Sequence, residues 1–258
     1  MGFFKKNMIR AEEKTASAIE PRFGFVLFDS LTFDWDSFIK NLHADWDIIV
    51  HEKTDKNVLI FDYANMRVIC GFMKSPVPNN EVQDNAILNV LWKDAVAEVD
   101  RHKSHIVLSV MNGHCAIDQS IVFTKVAASM LKDAHAIGIY QNPSVYPATQ
   151  YISSADMLRS NEFPIFLWMY FRVYAGKDGT SGYTMGLSYF GFDEIEVLDS
   201  KETPGNVYGF LIDISTYVIE SNIVLRDGET IGFSQDQKLS ITRSKGVAIE
   251  GDSIKIGF

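Results

Sequence analysis

Several groups of residues in this sequence have types and spacings that invite chemistry. His102 and His105 form an H-x-x-H pair, and imidazoles are common zinc ligands. They lie just before and at the start of a strand-like segment, where period-two alternation sends the two rings to opposite faces. A third ligand, His114 or His135, is not demanded by any spacing, so structural histidines are the plainer expectation. Cys115 stands at a loop-to-helix junction, where a helix N-terminus can lower a thiol's pKa and make it a nucleophile. No cysteine-enzyme signature surrounds it.

Two near-motifs fail on inspection. Gly186-Leu187-Ser188-Tyr189-Phe190-Gly191 is one residue too long for the G-x-S-x-G elbow, and it leads into a strand where the elbow requires a helix. Gly176-Lys177 suggests a phosphate loop, but the position that must be the first glycine is Phe171, and Asp178 follows the lysine where Ser or Thr belongs.

A carboxylate group is the last candidate: Asp193, Glu194 and Glu196, with Asp227 and Glu229 downstream. Alternation places Glu194 and Glu196 on one strand face, a pair suited to a divalent ion or to acid–base work. With Ile195 and Val197 on the other face, the segment also reads as an ordinary half-exposed strand. Aromatic residues crowd the same region. Trp168, Tyr170, Phe171 and Tyr174 precede the glycine-rich stretch 176–182, and Tyr183, Tyr189, Phe190 and Phe192 follow it. Exposed Tyr and Phe are contact-forming residues. The partner-contact candidates are therefore Tyr183, Tyr189, Phe192, Asp193, Glu194, Glu196, Asp227 and Glu229.

The elements that must carry these residues follow from periodicity. Strands are expected at 23–28, 47–51, 57–61 and 66–73, with turns at 54–56 and at Ala64-Asn65. Asn79 or Asn80 opens a helix whose apolar face runs through Val82, Ala86, Val90, Leu91, Val96 and Val99. Further strands are expected at 106–111, 136–140, 165–174, 183–189 and 194–198. Helices are expected at 34–43, 117–130 and 148–159, with a strongly marked one through Val207, Phe210, Leu211, Ile214, Tyr217 and Val218. Asp227-Gly228 supplies a turn. This order predicts an α+β fold, a mixed and largely antiparallel sheet arrangement with helices on one face. Residues 1–20 read as a flexible leader and 21–258 as one globular domain, with a subdivision near 176–182 into 21–175 and 183–258.

Composition narrows the function classes. A net charge of −9 and a pI near 5.1 argue against nucleic acid, which needs clustered Lys and Arg. The balance suits a basic protein partner, although many cytosolic proteins are mildly acidic. Two cysteines make no disulfide framework and point to a reducing compartment, hence a cytoplasmic location. Neither the N-terminal segment nor the apolar run 163–174 meets the pattern of a signal peptide or a membrane span of roughly 20 residues. No cofactor and no resident metal is expected, and the oligomeric state is not legible.

Several strings together resemble the domain-of-unknown-function (DUF) family 4261, an uncharacterised bacterial family. They are Gly182-Tyr183-Thr184-Met185-Gly186-Leu187, Phe190-Gly191-Phe192-Asp193-Glu194-Ile195-Glu196, Asp227-Gly228-Glu229-Thr230-Ile231-Gly232 and Ser253-Ile254-Lys255-Ile256. Upstream, Ser75-Pro76-Val77-Pro78, Leu91-Trp92-Lys93-Asp94-Ala95 and His102-Lys103-Ser104-His105 look like longer proteins that carry this domain. The resemblance is firmest from about residue 182 and supplies no catalytic residues. It implies company with bacterial toxin and secretion systems. With the failed motifs, it favours a non-catalytic immunity or accessory protein that binds and neutralises a cognate, basic toxin or effector. The alternative is an enzyme with a non-standard, metal-dependent site around His102/His105 or Glu194/Glu196.

Overall fold

The computed structural model describes residues 19–51, 55, 57–89, 92–232 and 238–258. The leader up to residue 18, most of the turn expected at 54–56, and Val90 and Leu91 lie outside them. The chain divides into two compact units, one ending at Pro164 and one running from Ile165 to Phe258. Each is built on its own six-stranded sheet, and the protein is α+β.

In the N-terminal unit the sheet order is β2-β3-β4-β1-β5-β6, with every neighbouring pair antiparallel. The strands are β1 (Arg22–Phe28), β2 (Val58–Tyr63), β3 (Met66–Met73), β4 (Ser104–Met111), β5 (Ala136–Gln141) and β6 (Ser144–Pro147). Alternation builds one largely apolar face on which Val26, Phe28, Val68, Cys70, Ile106, Leu108 and Val110 are all fully buried. Helix α4 (Ala116–Met130) lies over it, bringing Phe123 against Gly24, and is joined by α1 (Trp35–Trp46) and α5 (Ala148–Ala155). On the opposite face, α2 (Glu81–Ala86) and α3 (Ala95–Asp100) bury Val82, Ala86 and Val99 against Leu27, Tyr140 and Val145. These two short helices add a partial second layer to the single helical layer expected.

Local chemistry sets the boundaries. Asp34 caps α1 by accepting from the N–H groups of Asp36 and Ser37, at 3.0 Å each. Asp47 ends it in the left-handed region at φ 54°, so the strand expected at 47–51 does not form. Ile48 is buried as part of a connecting segment, while Ile49 stays exposed. The Ala64-Asn65 turn forms as read, with both residues at positive φ. The long helix expected from 79 or 80 to 99 is broken: Asn79 and Asn80 are both left-handed, neither caps α2 through its side chain, and helix resumes only at Ala95.

The C-terminal unit orders its sheet β10-β11-β12-β9-β8-β7. Its strands are β7 (Tyr170–Ala175), β8 (Thr180–Met185), β9 (Ile195–Ser200), β10 (Thr230–Ile231), β11 (Leu239–Lys245) and β12 (Asp252–Ile256). Pairing is antiparallel except between β9 and β12. The residues 165–168, expected as strand, form the helical turn α6 (Ile165–Trp168) ahead of β7, and 176–182 is occupied by the β7–β8 hairpin. Helix α7 (Pro204–Ser221) has Thr203 as its cap and Pro204 in its first turn. Its stripe of Val207, Phe210, Leu211, Ile214 and Val218 is buried on the sheet. The fit is close: a Cβ on Gly182 would meet Leu211 Cδ1 at 2.9 Å and Val207 Cγ1 at 3.1 Å. Among the described residues, no helix is long and apolar enough to cross a membrane.

Candidate contact site

Alternation splits β7 and β8 between two faces. Phe171, Val173, Gly182 and Thr184 share the side of α7; Tyr170, Arg172, Tyr174, Tyr183 and Met185 share the other. On that second face Tyr183 stands directly opposite Arg172. Its ring centroid lies 6.5 Å from that of Tyr170 and 6.2 Å from that of Tyr174, both edge-on. Arg172 Nη1 donates to Tyr170 Oη at 3.3 Å. That bond, and then the two phenols themselves, hold the guanidinium even further above neutrality than usual. Burial, and then Tyr170, push the Tyr183 hydroxyl up, so it stays a neutral donor. The result is a half-buried strip of three tyrosines around a permanent cation, bordered by the exposed Met185.

The acidic candidates hold turns in place. Glu194 accepts from Thr184 Oγ1 at 2.7 Å, Gly186 N at 2.8 Å, and both N and Oγ of Ser188 at 3.0 Å. It thereby fixes the 186–191 turn that mimics a nucleophile elbow. Ile195 and Val197 are buried as expected, but Glu196 is fully buried too, which corrects its reading as an exposed contact or one half of an acid–base pair. The loop 246–251 folds over it: Glu196 accepts from Val247 N at 3.1 Å, Ala248 N at 2.7 Å and Ser253 Oγ at 2.6 Å, and lies 3.3 Å from Lys255 Nζ. Burial alone would raise its pKa; the bonds from Ser253, Ala248, Val247 and Lys255 outweigh it and hold the carboxyl ionised below its ordinary range.

The other candidates are scattered. Asp193 and Asp227 converge on Arg243, with Asp193 Oδ2 2.9 Å from its Nε and Asp227 Oδ1 accepting its backbone N–H at 2.8 Å; Asp252 supplies a third carboxylate. Tyr189 packs edge-on against Phe190, which stacks on Trp168. Phe192 and Glu229 are half-buried. Of the eight contact candidates, only Tyr183 belongs to the strip. Arg172 was overlooked, although period two counted from Tyr170 selects it together with Tyr174.

The histidines serve the loop 75–78. His102 Nδ1 donates to Val99 O and its Nε2 accepts from Val77 N at 2.9 Å, which fixes a neutral tautomer with both nitrogens engaged. His105 Nδ1 donates to Ser75 O at 2.8 Å, and burial lowers its pKa. His135 instead pairs with Asp29 at 2.9 Å. The Cys115 sulfur caps α4 by accepting from Asp118 N, and burial against that first turn raises its pKa, opposite to the activated thiol considered above. Among the described residues, no group of three His, Cys, Asp or Glu side chains is placed to hold a metal ion.

No curated protein and no solved structure gives a significant match to this chain. A family model does, over residues 183–257 only, so the upstream strings at 75–78, 91–95 and 102–105 lie outside it. The matched span holds Tyr183, both turn-fixing glutamates, α7, four whole strands of the C-terminal sheet (β9 to β12) and the second half of β8. Over residues 183–257 the chain carries the domain of unknown function DUF4261.

Proposed function

We propose that this protein works by protein–protein contact in the cytoplasm, as a non-catalytic immunity or accessory protein that binds and neutralises a cognate toxin or effector. The observation that carries the reading is the strip of Tyr170, Arg172, Tyr174 and Tyr183: Tyr and Arg dominate binding hot spots, and here they are clustered and half-buried. Two further facts support it. The glutamates and histidines with the best spacing for catalysis are engaged in internal hydrogen bonds that fix loops. The net charge of −9 favours long-range attraction of a basic protein, and the two cysteines are unpaired, in keeping with a reducing compartment.

The test is co-expression with each candidate toxin or effector from the same genome, scored by cell survival and by the affinity of the purified pair. Tyr183→Ala is expected to weaken binding about 30-fold, the range of a hot-spot residue, with circular dichroism unchanged. Full protection and unchanged affinity in that variant would remove the strip from the proposal. Turnover of a small-molecule substrate without any bound protein would overturn the contact reading itself.

A further inference from the structure

We propose that β7 receives an extended segment of the partner as a seventh strand of the C-terminal sheet, and that this segment places a carboxylate opposite Arg172. The inference rests on the contact reading above and names the chemistry of the partner.

Among the described residues, strand β7 is the last in its sheet and pairs on one side only, with β8. Half of an edge strand's N–H and C=O groups point away from its neighbour. Among the described residues, no backbone hydrogen bond reaches Tyr170–Ala175 from outside the β7–β8 ladder. Edge strands are usually guarded by shortness, proline, lysine, a bulge or an ion pair. Strand β10 has two residues, β6 has four and ends in Pro147, and β2 carries Asp62 paired with Arg67. Strand β7 is six residues long, has no proline and no bulge, and carries one charge, Arg172, that no carboxylate among the described residues neutralises. Its register with β8 runs unbroken from Tyr170↔Met185 to Ala175↔Thr180, and its sequence YFRVYA is rich in residues that favour strands.

Arg172 supplies the selectivity. The sequence holds 33 acidic residues, and four of the other described arginines pair with them. Arg67 holds Asp62, Arg101 holds Asp29 and Glu98, Arg159 holds Asp45 and Asp156, and Arg243 holds Asp193 and Asp252. Arg172 is surrounded by tyrosines instead, and no carboxylate among the described residues pairs with it. An added strand alternates its side chains as β7 does, so one residue falls opposite Arg172 and the two flanking ones on that face fall opposite Tyr170 and Tyr174. The complementary pattern is apolar or β-branched, acidic, apolar or β-branched at every second position, with main-chain bonds giving affinity and the acid giving register.

The probe is a seven-residue blocked peptide, Thr-Val-Thr-Glu-Thr-Val-Thr, and its counterpart with lysine in place of glutamate, added at millimolar concentration to the full chain. Residue-resolved amide exchange should slow at the outward N–H groups of β7 with the glutamate peptide, which binds about tenfold better than the lysine peptide. Arg172→Glu should reverse that order and Arg172→Gln should erase it; the two variants together guard against a fold lost to one of them. If neither peptide protects β7, or both do so equally, the inference is overturned. Binding of the whole toxin or effector is read separately: loss on Tyr183→Ala with β7 exchange unchanged sinks strand addition and leaves the contact reading standing. Indifference to Tyr183→Ala sinks the strip as the contact.

Discussion

Gly71 and Gly182 each sit on the strand next to an edge of a six-stranded sheet, and their surroundings are opposites. A Cβ on Gly182 would press on Leu211, Val207 and the carbonyl of Arg172, because α7 lies directly over it. A Cβ on Gly71 would meet nothing within 4 Å. Around Gly71, Val58, Ile60, Ile69 and Val107 are half-buried, and Phe23 and Met73 are exposed; α2 and α3 cover only the β1–β5–β6 end of that face. The two units also hold their loops differently. The N-terminal unit ties its loop 75–78 with neutral histidines, and the C-terminal unit pins its turns with glutamates, one of them fully buried and ionised. Polar residues that look catalytic in a sequence are thus divided between two structural tasks, while Arg172 is held among tyrosines rather than by an acid.

The glycine pair gives the largest expected contrast. Gly182→Val forces three carbons into a space that closes at 2.9 Å and should destabilise the C-terminal unit by about 3 kcal/mol. Gly71→Val should stabilise the N-terminal unit by about 0.5 kcal/mol, since valine suits a strand and finds open space. Urea unfolding, with amide exchange followed separately in β8 and β3, reads both. Equal losses at the two sites would dissolve the comparison.

The buried carboxylate comes next. Glu196→Gln keeps the shape, removes the charge facing Lys255 and turns one acceptor into a donor aimed at donors. A loss of about 2 kcal/mol is expected. Glu194→Gln should lose about 1 kcal/mol, because its site is partly open to water. Amide exchange at Val247 and Ala248 should quicken in the first variant only, and at Gly186 and Ser188 in the second only.

Acid separates the units by their anchors. Burial lowers the pKa of His105 below its ordinary 6.5, so the unfolded chain takes up that proton first. Its contribution is complete above 6.5 and is lost as pH falls below that value. Glu196 sits below its ordinary 4.5, so its contribution is complete above 4.5 and is lost only as pH falls through the lowered folded value. Protection in β3 and β4 should therefore weaken in mild acid while β9 and β12 hold until below 4.5. His105→Asn should flatten the first loss and leave the second.

Much of this fold was legible from period and punctuation: strand 23–28, the Ala64-Asn65 turn and the α7 stripe all follow from local chemistry. The losses have a common cause. Strand 47–51, the first residues of strand 165–174 and the helix through 79–99 rest on apolar content, and each is overruled by a backbone or packing feature that hydrophobicity does not encode, while 170–174 does form strand. Asp47, Asn79 and Asn80 turn left-handed, and Ile165–Trp168 coils before the sheet begins. Glu196 was misjudged for a related reason. Alternation assigns it to the polar face correctly, but only the tertiary fold shows that a loop 50 residues downstream closes over that face.

The smallest contrast lies in the turns, where the units again differ. The β2–β3 turn places Ala64 at φ 50°, a conformation that penalises a Cβ by roughly 1–2 kcal/mol, whereas the turn before β10 has Gly228 at φ 79°. Ala64→Gly relieves that strain but adds freedom to the unfolded chain, so the net gain should be about 0.5 kcal/mol. Gly228→Ala meets no atom within 4 Å, so strain alone acts and the loss should be about 1 kcal/mol. Thermal unfolding of both variants, with exchange in β2 and β11 as the local readouts, should show shifts of opposite sign confined to their own units. A destabilised Ala64→Gly protein would mean that the alanine methyl makes a contact worth more than its strain, and the N-terminal turn would then join the C-terminal ones as a packed feature.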